Sequence, residues 1–321
     1  MSRARLSGDG ARALAALLIA LALQLAGSLL IEGYSSAFAI RSLLVLATLL
    51  AIASLGQTLV VLLGGIDLSI PFVIGFANVV AAQLFGQGMS FPLVCLIVAG
   101  LALAIGALNG ALSAALAIHP LIVTLGVGTA VQAAVLLWTA GFPSGAAPDA
   151  VTAFVSIGGH AGPLPVPWLV PCFAVLAAFL ILVLARTPFG RRLYALGSNP
   201  AAAPYALIDP VRVWAAAYAL SALFAALAGV LLLGFTGSAY GEVGQPYLFQ
   251  TIAAVVIGGT ALVGGRGGVA GTIAGALVLT ELNTILIGLG LTPAMVEAAL
   301  GAVIIALVSL YGREAHVRTT I

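Results

Sequence analysis

Ten apolar runs, each about 17–25 residues long, occupy most of the chain, and each approaches the length a helix needs to span a hydrocarbon core about 30 Å thick. They fall near 13–31, 42–63, 69–86, 92–117, 121–140, 166–185, 212–235, 247–263, 268–289 and 294–311. Only 6% of the 321 residues are charged and mean hydropathy is +1.25, whereas soluble folds carry roughly 25% charged residues. So few charges cannot cover a water-facing surface of this size. The sequence therefore predicts an all-α polytopic membrane protein of about ten transmembrane helices, a single domain over 1–321. The runs at 69–86 and 247–263 are short and glycine-rich, which allows re-entrant or broken helices there.

Charge fixes the orientation, because Lys and Arg resist translocation. With the N-terminus inside and ten crossings, Arg3, Arg5, Arg12, Arg186, Arg191, Arg192, Arg212, Arg266, Arg313 and Arg318 all fall inside, and only Arg41 falls outside. The expected topology is N-in/C-in. The first run is nearer 19 residues than the 7–15 or so of a signal peptide, so it reads as a retained helix. A net charge of +2, dispersed along the chain, gives no argument for nucleic acid. Every cation is Arg, and a Walker A loop needs a Gly-Lys pair, so the chain cannot hydrolyse ATP by that route. Cys95 and Cys172 lie in separate apolar runs and read as small core residues. His119, His160 and His316 are too scattered for a metal site.

On this topology the segment from Arg186 through Gly190, Arg191, Arg192 and Gly197 to Asn199 and Pro200 is a charged cytoplasmic turn. Its Asn-Pro pair reads as a helix start. Such a surface predicts a docking site for another protein. The longest exterior loop, about 142–165, is too broken by Gly and Pro to span; it is either a passive connector or a set of short interfacial pieces.

Glycines inside the runs let membrane helices approach closely. Gly100, Gly106 and Gly110, and Gly271 with Gly275, read as packing faces, the last pair as intramolecular packing ahead of a dimer seam. Asp67, in Gly64-Gly65-Ile66-Asp67-Leu68-Ser69, reads either as a helix cap, with Ser69 able to serve the same end, or as a salt bridge or gate contact. Gly265, Gly267 and Ala270 give a formal Gly-x-Gly-x-x-Ala match, but the soluble strand and downstream acid of a dinucleotide site are missing. A tight cytoplasmic turn carrying Gly265 and Arg266 is the better account. The Gly-Gly pairs at 64–65 and 264–265 are alike in context, as in transporters with internal repeats. Polar residues within runs include Asn78, Asn109, Gln250, Glu281 and Asn283. They serve either helix-to-helix hydrogen bonds or a hydrophilic path suited to a neutral, hydroxyl-rich solute.

Four motifs then occur in order: Gly65-Ile66-Asp67-Leu68-Ser69; Asn109-Gly110 followed by Pro120 to Gly126; Thr187 to Arg191 with Ala195 to Pro200; and Val255 to Gly259 running through Gly264-Gly268 to Thr272. The set resembles the ribose-type permease subunit of bacterial ABC importers, within the larger family that holds the branched-chain amino acid permeases. The resemblance covers about 38–310. It implies a fold similar to vitamin B12 importer (type II) permeases, in the bacterial inner membrane. It implies pairing with a second permease copy or paralogue, cytoplasmic ABC ATPase subunits and an extracytoplasmic solute-binding protein. It implies a monosaccharide or polyol as solute, no enzyme activity, and no cofactor on this chain, with ATP-Mg in the partner. The loop at 186–212 would be the coupling element, with a coupling helix over Asn199 to Leu207. The chain departs from the family pattern in Pro204-Tyr205-Ala206-Leu207-Ile208-Asp209-Pro210, whose prolines would shorten or kink that helix. The rivals are a branched-chain amino acid permease and a free-standing secondary transporter or channel with Glu281 as its ion site. An intramembrane enzyme finds no nucleophile–base pair.

Overall fold

The computed structural model describes residues 2–311, so Arg313, His316 and Arg318 lie outside the described residues. In chain order the helices are α1 (Ser2–Leu30), α2 (Ala37–Leu62), α3 (Ile70–Gly86), α4 (Phe91–Ala115), α5 (Pro120–Trp138), α6 (Asp149–Val155), α7 (Leu169–Arg186), α8 (Pro188–Ser198), α9 (Pro210–Thr236), α10 (Tyr247–Ile257), α11 (Val269–Gly288) and α12 (Pro293–Tyr311). Among the described residues the only strand-like pairings are two isolated bridges, Ala146 with Ser238 and Ala161 with Leu164. Among the described residues seven helices are long and apolar enough to cross a membrane: α1 from Gly10, α2, α4, α5, α7, α9 and α11. Three shorter apolar helices, α3, α10 and Ala294–Val303 of α12, stand at the remaining predicted runs.

Two helices form the centre. In α2, 89% of the apolar stretch is buried, and in α9, 72%, against 17% in α1 and α5, so the latter two present their side chains outward. Small residues bring the neighbours in. A Cβ on Gly106 would lie 2.2 Å from the Tyr218 carbonyl oxygen of α9, and one on Gly110 2.4 Å from that of Trp214. On α11, Cβ atoms at Gly271 and Gly275 would lie 2.0 Å from the carbonyl oxygens of Gly258, just past α10, and Ala254 of α10, so this pair packs within the chain. Gly100 meets open space and takes no part in the α4–α9 seam. Gly110→Leu should therefore destabilise the bundle by about 1–3 kcal/mol through overpacking, while Gly100→Leu should be silent. Thermal melts of both variants in detergent check the contrast.

Contacts sort the connectors to two ends of the bundle. At one end Arg12 of α1 donates to the Gly259 carbonyl (3.3 Å), the Leu68 amide donates to Thr124 Oγ1 (3.0 Å), and α8 meets the end of α2. At the opposite end Gly145 backs onto Ala82, Ser144 Oγ donates to Gln83 Oε1 (2.9 Å), and Gly288 faces Ile31. The loop at 142–165 thus packs on α3, and its short α6 packs on α9 where Val151 meets Gly234, rather than hanging as a free connector. Near this opposite end the Tyr34 hydroxyl donates to the buried Glu281 carboxylate, fixing the α1–α2 turn to α11.

Of the two runs that allow a broken helix, 69–86 is continuous as α3, whereas 247–263 is broken. Helix α10 has 11 residues, about 16 Å of rise, roughly half a hydrocarbon core. It stops at Ile257 because the chain turns through Gly258 and Gly259, the latter at φ +86°. Before it, residues 238–246 run as irregular backbone down the side of α3. The Tyr240 amide donates to Asn78 Oδ1 (2.9 Å). Further on, a Cβ on Gly75 would lie 1.9 Å from the Gly241 carbonyl oxygen, and one on Gly244 2.0 Å from that of Pro71. Asn78 to Pro71 is about 10 Å along the helix.

Candidate functional site

The site is built at the end of the bundle where α8, the C-terminus of α2 and the turn at 258–268 interlock. Helix α8 begins with Thr187 as N-cap and Pro188 in its first turn, and Thr187 Oγ1 accepts from the Gly190 amide (3.4 Å). Leu193 and Leu196 point inward and are buried, while Arg191 and Arg192 are exposed. Arg191 donates to the Arg186 carbonyl (3.2 Å), meeting one of the acceptors left open at the end of α7. Arg186 is exposed beside it.

Glycines set how closely these pieces approach. A Cβ on Gly190 would sit 2.0 Å from the Leu184 carbonyl oxygen, and one on Gly197 1.8 Å from that of Leu62. The Leu62 carbonyl has no helical partner at the end of α2 and accepts instead from the Gly265 amide (2.9 Å). Gly64, Gly264 and Gly265 hold φ of +81°, +88° and +73°, a region closed to most L residues. The two Gly-Gly pairs noted in the sequence face one another: a Cβ on Gly264 would lie 2.8 Å from the Gly64 amide nitrogen. Tyr194 of α8 adds a hydrogen bond from its hydroxyl to the Gly267 carbonyl (2.9 Å). Arg266 is exposed at the rim of a cleft of about 1010 Å³ that Arg12, Arg191 and Tyr194 also line.

Asn199 does not start a helix. It ends α8, its amide donating to the Ala195 carbonyl (3.1 Å) and its Oδ1 accepting from the Ala202 amide (3.0 Å). The expected coupling helix over Asn199 to Leu207 is instead a turn at Pro200 followed by a single 3₁₀ turn, Ala203–Ala206. The helix-start signal that operates is Thr187-Pro188, twelve residues earlier in the sequence. Pro204 lies in the 3₁₀ turn, and Pro210 opens α9 behind the Asp209 cap, whose carboxylate also pairs with Arg212 (3.0 Å). The tip between them leaves Tyr205 92% and Leu207 93% exposed.

Behind this surface lies a buried polar knot. Asp67 Oδ1 accepts from the Ser69 amide (2.9 Å) and Ser69 Oγ (2.5 Å), and Oδ2 accepts from Ser221 Oγ of α9 (2.7 Å). Asn109 Nδ2 of α4 donates to Ser69 Oγ (2.9 Å). The carboxylate therefore folds its own connector into an Asx-type turn and fastens it to two helices. Ser69 makes no side-chain cap of its own on α3. Arg212 is the partner of Asp209, and no ion pair to Asp67 is present among the described residues.

The polar residues read as a candidate path are not brought together. Asn78 is buried and donates to the Gly229 carbonyl (3.3 Å), Asn109 is committed to Ser69, and Glu281 is held by Tyr34. Gln250 on α10 and Asn283 on α11 are half-buried. Sequence reasoning passed over Ser221 and Thr124, because a lone hydroxyl in an apolar helix usually bonds its own i−4 carbonyl. Their role emerges only from the neighbour that each helix meets.

The family described as branched-chain amino acid transport system, permease component, matches residues 39–308. The ribose import permease protein RbsC of Haemophilus influenzae is 34% identical over 239 residues, 74% of this chain and 73% of the relative. The fructose import permease protein FrcC of Rhizobium meliloti is 34% identical over 283 residues, 86% of this chain and 78% of the relative. The autoinducer 2 import system permease protein LsrC of Shigella flexneri is 32% identical over 270 residues, 83% and 77% of the two chains. No solved structure matches significantly.

Proposed function

Because the chain belongs to the permease family of the branched-chain amino acid transport systems, we propose that it is the membrane-spanning subunit of an ABC importer for a monosaccharide or related polyol. The observation that carries the solute class is similarity across most of the chain to permeases named for ribose and fructose import. As a permease it carries out no bond chemistry. In this reading it crosses the bacterial inner membrane ten times, N-in/C-in, as one transmembrane domain similar in fold to vitamin B12 importer permeases. It pairs with a second permease, receives solute from an external binding protein, and docks on cytoplasmic ATPase subunits that hold ATP-Mg.

The docking element is the α8 end, from Arg186 to Arg212. The exposed Tyr205 and Leu207 supply an apolar tip for a groove on the ATPase, and Arg191 and Arg192 supply charge at its rim. The rigid contacts of Gly197, Gly265 and Leu62 would carry motion from that tip to α2 and α11. The Asp67–Ser69 knot would hold the inner end of α3 to α9 and α4 as the helices move.

Co-purification in mild detergent of the tagged chain expressed with its chromosomal neighbours tests the reading. Recovery of a Walker-motif ATPase is expected. Solute uptake by the purified chain alone in liposomes, with no ATPase recovered, would overturn it. In the assembled complex, Arg191→Glu with Arg192→Glu should lower uptake roughly tenfold or more, the scale of about 1.4 kcal/mol of lost coupling, while ATP hydrolysis persists. Unchanged uptake would remove these arginines from the mechanism.

A further inference from the structure

The segment ahead of α10 presents an anomaly that the importer reading leaves unused. Residues 241–246 form successive i to i+3 turns, with amide-to-carbonyl bonds from Val243 to Tyr240 (3.3 Å), Gln245 to Glu242 (3.0 Å) and Tyr247 to Gly244 (2.9 Å). This backbone lies against the middle and lower part of α3, between Asn78 and Pro71. Irregular backbone at membrane depth persists only where protein covers it or where it lines water. Protein covers one side, with Gly241 and Gly244 pressed on α3. The other side is open: Tyr240 is 54% exposed, Phe249 62%, and Glu242 and Gln245 are exposed with them. The Tyr240 hydroxyl donates to Glu242 Oε2 (3.4 Å).

An ionisable side chain facing lipid at this depth is disfavoured, and such residues line solute or ion paths in membrane proteins. Broken helices of this kind place their unwound backbone at the binding site of transporters. We propose that Tyr240, Glu242 and Gln245 form a solute-contact surface of the translocation path, with Phe249 as its apolar floor. Its ligand class is a neutral polyhydroxylated molecule. Glu242 accepts from solute hydroxyls, the Gln245 amide both donates and accepts, and the rings of Tyr240 and Phe249 cover the C–H faces of the solute. The surface lies on an outward face of the chain, so the path closes against the second permease subunit. The ligand class rests on the importer reading; the water-lined surface does not.

Two measurements separate these parts. In a chain carrying Cys95→Ala and Cys172→Ala, Glu242→Cys and Gln245→Cys are each treated with a membrane-impermeant trimethylammonium methanethiosulfonate in proteoliposomes. Both should react at least tenfold faster than Phe179→Cys on the outward face of α7. Reaction no faster than that control at both positions would overturn the proposal. Then, in the complex with its co-purifying ATPase and binding protein, ribose and fructose uptake are measured for wild type, Glu242→Gln and Tyr240→Phe. About a tenfold rise in KM with ATP hydrolysis unchanged is expected. Wild-type kinetics in both variants would overturn solute contact. A wild-type complex that takes up neither sugar would sink the monosaccharide reading and this ligand class together, while the labelling rates would still decide whether the segment lines water.

Discussion

Asp67→Ala is expected to lose most of the folded, monodisperse protein after mild heating in detergent, and with it solute uptake. Both carboxylate oxygens are engaged, and the residue is 1% exposed. Truncation strands the Ser69 amide, the Ser221 hydroxyl and the Ser69 hydroxyl that anchors Asn109. Leaving a buried polar group without a partner costs about 1–3 kcal/mol, and single substitutions that break a buried network reach about 4–5 kcal/mol. Asp67→Asn should be milder, because the amide keeps the shape and one acceptor while the serine hydroxyls can turn. The double variant Asp67→Ala with Ser221→Ala should cost less than the sum of its parts, as expected for groups in one network. Strict additivity in that cycle would mean that the α9 contact contributes nothing.

Gly197→Ala should abolish coupled uptake while leaving most of the chain inserted and folded. Its Cβ would sit 1.8 Å from the Leu62 carbonyl oxygen and 2.9 Å from the Gly265 amide, on top of the hydrogen bond that these two atoms make. Backbone atoms cannot swing aside as a flexible side chain can, so α8 must lift off the end of α2. Strain from overpacking is about 1–3 kcal/mol, enough to hold the element in another position without unfolding a bundle whose central seams lie elsewhere. Gly126→Ala on α5, where added bulk meets open space, is the control. The check is uptake against ATP hydrolysis in the assembled complex. Hydrolysis that continues without uptake is expected, and normal uptake would show that α8 need not touch α2.

The helices could be read from sequence because apolar runs of spanning length are encoded in composition alone, although how deeply each is buried is not. Every predicted apolar run holds a helix, but of the two short glycine-rich runs only 247–263 is broken, while 69–86 is the continuous α3. What the sequence hid was partnership. Asn78 and Asn109 read either as path residues or as helix-to-helix hydrogen bonders, and the partners they meet inside the fold, irregular backbone for one and a serine for the other, could not be named from sequence. Glu242 went unread because it lay between two runs, in a stretch that hydropathy counts as connector. Its depth follows only from Gly241 and Gly244 meeting α3. The start of α8 was missed for a local reason. Asn199-Pro200 and Thr187-Pro188 carry the same cap signal, and the amphipathic pattern through Leu193 and Leu196 decides between them.

The half-length of α10 also bears on how the chain is made. A helix of 11 residues cannot partition into a bilayer by itself, and the backbone leading into it would meet lipid with its amides and carbonyls unmet. Burial of this segment must therefore wait for a surface that accepts it. That surface, the glycine-notched flank of α3, belongs to the first third of the chain and has left the ribosome long before Tyr240 is synthesised. The order of synthesis thus supplies the template before the segment that needs it.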